Sequence, residues 1–286
     1  MRKNNFKFKH SLGQNFIVDE FLLDDICDNC NISDSDYVLE IGPGNGALTR
    51  VLVDRVKFVV TVEIDKTLMP LLSANLSEYN NVTIINADFM NVDFKVILNE
   101  FIRQGFDENV EHIKVVANLP YYITSPIINK LLFCPFISEM TLMVQKEVGD
   151  RITASPNSKD FGILTLACQY FANTEILFYV PKTAFYPVPK VDSAVVHFVK
   201  HSQFIDLSNH QNFCIEEDND YKNLFFVIKS AFAERRKKLL NSLSDVAKYE
   251  KPRLLEIFKK LGFNELVRAE NLSLDDYKNL TKELFT

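Results

Sequence analysis

The amino-acid sequence predicts an α/β chain, an open and mostly parallel sheet of seven strands followed by a small C-terminal helical domain. Three observations carry that prediction. Short β-branched runs alternate with spacers long enough for crossover helices between Tyr37 and Phe198. The first five runs are almost continuously apolar, as strands covered on both faces must be. Beyond residue 220 the apolar positions change to helical spacing.

Taken in order, the runs are Tyr37 to Ile41, Phe58 to Glu63, Val82 to Ala87, Ile113 to Asn118, Met140 to Gln145, Ile176 to Val180 and Ala194 to Val199. The last two are separated by a short segment carrying Pro181, Pro187 and Pro189, which suits an antiparallel pair at one edge. From Phe204 to Asp220 there is no Lys or Arg among scattered acids, and this reads as a linker. Two helical patterns follow, Leu224, Phe225, Ile228, Phe232 and then Leu254, Leu255, Phe258, Leu261, with Gly262 where a helix stop belongs. The expected domains are therefore residues 1–205 and 206–286.

Composition narrows the class of function. With 286 residues, 47% hydrophobic and 24% charged, the chain can bury a full core and is neither disordered nor a disulfide scaffold. The longest uncharged stretch, Val115 to Asn129, is interrupted by Asn118, Pro120 and Pro126 and is too short to span a bilayer. No apolar segment follows the basic start (Arg2, Lys3, Lys7, Lys9), so no secretory signal is read and a cytoplasmic location is expected. Cys27, Cys30, Cys134, Cys168 and Cys214 are an odd set that fits reduced thiols, and Cys27 and Cys30 have no second pair at zinc-finger distance. The histidines form no cluster with metal spacing, so no catalytic metal is expected.

The net charge of -6 argues weakly against a nucleic-acid partner, but the distribution argues for one. Residues 11–120 hold 7 basic and 18 acidic side chains, whereas residues 221–260 hold 11 basic and 4 acidic. A polyanion responds to the local patch. Arg235, Arg236, Lys237 and Lys238 form the densest basic run, which charge alone reads equally as a phosphate site or a solvated face.

The first strand runs into Gly42-Pro-Gly44-Asn-Gly46 and a helix-compatible segment. Glycines suit a strand that turns sharply into a helix with a ligand against its backbone. The next strand ends in Glu63, 21 residues after Gly42, where a carboxylate meets the hydroxyls of a ribose. No Lys-Ser/Thr pair follows the loop, which removes the P-loop nucleotidases. Asp88, after the third strand, is placed to accept from the amine of an adenine, so Glu63 and Asp88 together would fix an adenosyl group. The fourth strand ends in Asn118-Leu119-Pro120-Tyr121 at the edge where ligands of such folds bind. An aromatic amine is a poor nucleophile, and methylating it calls for acceptors for its two hydrogens and an aromatic face for its ring. Asn118 Oδ1 and the Leu119 carbonyl supply the acceptors, Pro120 the turn and Tyr121 the face.

These residues resemble the S-adenosylmethionine-dependent ribosomal RNA adenine N6,N6-dimethyltransferases. The resemblance covers nearly the whole chain and includes Leu12-Gly-Gln14-Asn15-Phe16, Gln145-Lys-Glu147-Val, Pro156 to Gly162, Phe185-Tyr-Pro-Val-Pro189-Lys-Val-Asp192-Ser193, and Arg235-Arg236-Lys-Lys-Leu-Leu-Asn241. The tracts at 156–162, 191–193 and 235–238 look like the small-subunit branch. The resemblance implies a Rossmann-like methyltransferase fold, with Gln14, Asn15 and the Ile17 backbone closing over the methionine end of the cofactor. It implies that Gly42 and Gly44 approach the cofactor from the sheet and that Phe185 contacts the target adenine opposite Tyr121. It further implies a monomer that dimethylates two adjacent adenosines in a hairpin loop near the 3′ end of 16S rRNA, within a small ribosomal subunit or its precursor. Tyr122 departs from the family, where Asn commonly follows the Pro-Tyr. Other readings are a large-subunit rRNA dimethyltransferase, a non-catalytic RNA-binding assembly or transcription factor of the same fold, and a nicotinamide-dependent dehydrogenase. Intact Glu63, Asp88 and Asn118 argue against lost catalysis, and a dehydrogenase leaves Asn118 to Tyr121 without a purpose.

Overall fold

A computed structural model describes residues 15–109, 111–205 and 218–286. The basic N-terminal arm, Gln14, Cys214 and most of the expected linker lie outside the described residues. Among the described residues no helix is long and apolar enough to cross a membrane.

All seven expected runs are strands. They are β2 (Tyr37–Ile41), β3 (Phe58–Glu63), β4 (Val82–Asn86), β5 (Ile113–Asn118), β6 (Ile137–Gln145), β7 (Ala172–Val180) and β9 (Ser193–Lys200), in one sheet ordered β4-β3-β2-β5-β6-β9-β7. β4, β3, β2, β5 and β6 pair in parallel, and β9 lies antiparallel to β6. The expected edge pair are neighbours, but only β7 is an edge strand. β9 is buried along nearly its whole length and β7 is not, which is why β9 takes the inner position. Residues Phe16–Ile17 (β1) and Phe185–Tyr186 (β8) form a separate two-stranded sheet with Ile17 opposite Phe185, an element absent from the sequence reading.

The chain divides into two compact units, and the division differs from the expected boundary at 205/206. The first unit runs to Gly149 and resumes at Asn173, while Asp150–Ala172 belongs with the C-terminal helices. The cause is burial. Phe161 and Leu166, the latter on α7 (Ile163–Phe171), are wholly buried among Leu224, Phe225, Ile228, Phe258 and Tyr277. These come from α8 (Asn219–Phe232), α10 (Lys251–Leu261) and α11 (Leu274–Phe285), which with α9 (Leu239–Val246) make the second unit's helical core. Gly262 caps α10 in the left-handed region, as its sequence position indicated.

In the first unit, β2 lies between β3 and β5, and the order of the chain reverses there. Successive strands run outward from β2 to β4 and then return on the other side. Helices leaving the carboxyl ends of β2 and β5 diverge, which opens a crevice at that point. The glycine loop after β2 and the Asn118 segment after β5 face each other across it.

Candidate active site at the sheet switch point

The crevice is a pocket lined by the loop after β2, by Glu63 and Ile64 at the end of β3, by Asn118 to Tyr122 after β5 and by Asn15 to Ile17. Gly42, at φ +71°, leaves β2 with its N–H still bonded to the Val62 carbonyl at 2.9 Å. Gly44 carries two constraints. Its φ is +61°, and a Cβ there would stand 2.7 Å from the Phe16 ring. Only glycine meets both conditions. The loop then runs into α2 (Ala47–Val53).

Glu63 is 5% exposed and ties the loop to β3. Its Oε2 accepts from the Gly44 N–H at 3.1 Å and its Oε1 from the Asp65 N–H at 2.7 Å. Burial raises its carboxyl above the usual range, opposed by the bonds from Asp65 and Gly44. Glu40, the last acid before the glycines, is 2% exposed on β2, and Thr49 Oγ1 donates to its Oε2 at 2.5 Å. Burial pushes Glu40 up to about 8; the Thr49 bond opposes this and the nearby Glu63 charge reinforces it.

On the facing side Asn118 ends β5. Its Nδ2 donates to the Asn15 carbonyl at 3.3 Å, leaving Oδ1 as its acceptor. The Leu119 N–H donates to the Met143 carbonyl at 3.1 Å, which ties the Asn118–Leu119 peptide to β6. Pro120, with φ -60°, starts a 3-10 turn over Tyr121–Ile123, and Thr124 Oγ1 donates to the Pro120 carbonyl at 3.0 Å. The Tyr121 hydroxyl lies 2.7 Å from Ser193 Oγ, so the ring is held from β9. Burial raises that hydroxyl's pKa, with Ser193 opposing.

The structure therefore brings Asn15, Ile17, Gly42, Gly44, Glu63 and Asn118 to Tyr121 onto one pocket. Gln14 lies outside the described residues. Asp88 is not on the pocket wall: its Oδ1 accepts from the Met90 N–H at 2.9 Å and its Oδ2 from Asn91 Nδ2 at 2.7 Å, in a local turn beyond β4. Its charge still reaches Tyr122, whose hydroxyl pKa is raised by partial burial and then by Asp88 and Glu63. Phe185 is 1% exposed in the core with Ile17 and is not among the residues lining the pocket. Side chains alternate along β8, so pairing with β1 turns Phe185 inward and leaves Tyr186 exposed.

Arg235 to Lys238 lie in the turn between α8 and α9 and are not alike. Arg235 donates to the Ser158 and Lys159 carbonyls and faces Glu270 at 3.8 Å. Lys237 pairs with Glu234 at 2.9 Å and Asp245 at 3.3 Å. Arg236 and Lys238 are exposed and make no ion pair among the described residues.

Sequence reasoning assigned no role to Phe16, Glu40, Ile64 or Ser193. For Glu40 a signal existed, since an acid inside a wholly apolar central strand is costly unless it serves something. Phe16 and Ser193 had none, because their partners Gly44 and Tyr121 are remote in sequence. Cys27 and Cys30 are free thiols buried in the first unit's core.

Comparison with known proteins agrees with this geometry. A family model described as ribosomal RNA adenine dimethylase matches residues 5–285. The ribosomal RNA small subunit methyltransferase A of Alkaliphilus oremlandii is 41% identical over 291 residues, covering 99% of this chain and 96% of the relative. Its namesake in Clostridium acetobutylicum is 40% identical over 286 residues, covering 100% and 96%. Among solved structures, a 23S rRNA methyltransferase superposes with TM-score 0.69 at 25% identity, covering 95% of this chain and 100% of the other. A dimethyladenosine transferase from Plasmodium falciparum superposes with TM-score 0.73 at 24% identity over 93% and 95%, a likeness of fold. With its pocket at the switch point and the family model spanning almost every residue, the chain belongs to the ribosomal RNA adenine dimethylase family.

Proposed function

We propose that this enzyme transfers methyl groups from S-adenosylmethionine to N6 of two adjacent adenosines near the 3′ end of 16S rRNA, twice on each. The observation that supports this best is the meeting in one pocket of the Glu63-anchored glycine loop and Asn118 to Tyr121. The residues present fit the cofactor. Gly42 and Gly44 bring bare backbone to the pocket wall, where a Cβ at Gly44 would strike the Phe16 ring, and Glu63 retains lone pairs for ribose hydroxyls beyond the two bonds it makes. Asn15 and Ile17 close the methionine end, with Gln14 beside them in sequence, and Asp88 retains acceptor capacity for the adenine amine. When bound, S-adenosylmethionine supplies an electrophilic sulfonium methyl.

The chain's own residues do the rest by positioning and electrostatics. Asn118 Oδ1 and the Leu119 carbonyl accept the two hydrogens of the target amine and draw its nitrogen away from conjugation with the ring. Tyr121, fixed through Ser193, offers the face against which the base lies. The nitrogen loses its proton after attack, so no strong base is required. The higher identity to small-subunit enzymes favours 16S over 23S rRNA. The enzyme then acts in the cytoplasm as a monomer, on a small subunit or its precursor, where the target bases are unpaired.

The test is to incubate the protein with labelled S-adenosylmethionine and small subunits from cells lacking this chain, then map the modified bases. The expected result is dimethylation of two adjacent adenosines. Label confined to large-subunit rRNA would move the enzyme to the other branch.

A further inference from the structure

α8 buries Leu224, Phe225, Val227, Ile228, Ser230 and Ala231 in the second unit's core. Between residues 221 and 232 only Lys222, Phe226 and Lys229 are exposed. Steps of four and three place them along one face, each beside the next. The helix ends at Phe232, and the exposed residues Arg235 to Lys238 follow in the turn after it. Phe226 leaves 48% of its surface in water, and its neighbours on that face are cations. A large exposed ring contributes little to folding. Flanked by positive charge, it has the makeup of a single-stranded nucleic-acid platform, where bases stack on aromatic rings and cations hold the backbone.

We propose that the exposed face of α8 binds single-stranded RNA, with Phe226 stacking on an unpaired base and Lys229, one turn further on, holding a phosphate beside it. Charge selects this occupant, because residues 221–260 carry 11 basic against 4 acidic side chains. From Lys222 to Lys229 the face runs about 10 Å at 1.5 Å per residue. That is the length of roughly three stacked nucleotides at 3.4 Å each. The inference rests on the reading that ribosomal RNA is the substrate, and it adds a contact made by this chain outside the methyl-transfer pocket.

The chain contains no Trp, so Phe226→Trp introduces a single indole fluorophore at the proposed contact. Its emission should be quenched as 16S rRNA or small subunits are added, and unchanged by heparin, a polyanion without bases. Phe226→Ala and Phe226→Leu should each weaken RNA binding by about 5- to 100-fold, the range for one stacked base. Lys229→Gln should lower the salt slope of RNA binding by about one. Circular dichroism checks that each variant is folded. Emission unchanged at saturating RNA overturns the proposal even if the wild-type protein methylates rRNA. Quenching by RNA supports it even if the methylation assay fails. A change seen only with ribosomal proteins stripped of RNA assigns the face to a protein and overturns it.

Discussion

Glu63 ends β3 and Glu40 stands one residue before the end of the neighbouring parallel strand β2, and their surroundings differ. Glu63 already holds two backbone N–H groups, so Glu63→Ala removes the anchor of the glycine loop and, on the proposed function, the ribose acceptor with it. Calorimetry should show S-adenosylmethionine binding weakened by about 1.5 to 3 kcal/mol, the range for hydrogen bonds to a charged group. Unchanged affinity would take Glu63 out of the cofactor site. On the proposed function Asn118 accepts from the target amine, and its bond strengthens only as that amine pyramidalises. Asn118→Ala should therefore cut turnover by about 100-fold while leaving cofactor affinity nearly intact. Parallel loss of both would make Asn118 a structural residue. Glu40 is raised by burial from 4.5 to about 8. Between those values an unfolded chain ionises Glu40 while the folded one keeps it protonated, so its contribution to stability is full below pH 4.5 and is lost as pH rises to about 8. Glu40→Gln can still accept from Thr49 and should be spared this loss. Denaturant melts at pH 5 and pH 8.5 should show the variant gaining on the wild type by on the order of 3 kcal/mol.

At the level of elements, the glycine loop and β1 are built against each other. Gly42 and Gly44 both have positive φ, but only Gly44 also faces a ring at 2.7 Å; the nearest atom to a Cβ at Gly42 is Pro120, at 3.8 Å. Gly42→Ala should cost about 1 to 2 kcal/mol for the left-handed backbone alone. Gly44→Ala adds a clash that β1 must yield to, and it should lose more stability and more cofactor affinity. Pairing it with Phe16→Ala should return part of both losses and leave the backbone cost. If the second substitution rescues nothing, the contact with Phe16 is not what restricts position 44.

At the scale of the molecule, the basic run divides its work. Arg235 and Lys237 are committed to the second unit, to the Lys159 carbonyl and Glu270 and to Glu234 and Asp245. Arg236 and Lys238 are exposed, make no ion pair among the described residues, and on the proposed function are the two that hold phosphates. Replacing all four with Gln should flatten the salt slope of rRNA binding by about 2, where four free cations would give about 4. Arg236→Gln with Lys238→Gln should give the same flattening on its own. Arg235→Gln should instead lower the thermal midpoint of the helical unit. A slope unchanged in the double variant would leave these two as solvated side chains.

The seven strands, the glycine loop, Glu63 and Asn118 to Tyr121 were legible in the linear sequence because each is a local pattern. A central strand is apolar along its length, a tight strand-to-helix turn needs glycine, and an acid at a strand end stands out against its neighbours. What remained hidden depended on partners distant in the chain. The sequence marks Phe185 as an aromatic of interest, but only the pairing of β8 with β1 places it in the core beside Ile17. Residues 150–172 read as part of the sheet domain until Phe161 and Leu166 find their apolar partners near and beyond residue 224. Arg235 and Arg236 are adjacent and chemically identical, and only the fold gives one of them carbonyls and a carboxylate and leaves the other in water. Backbone preference and hydrophobic period act over a few residues and so fix elements and motifs, whereas burial and ion pairing are decided by whatever the folded chain brings alongside.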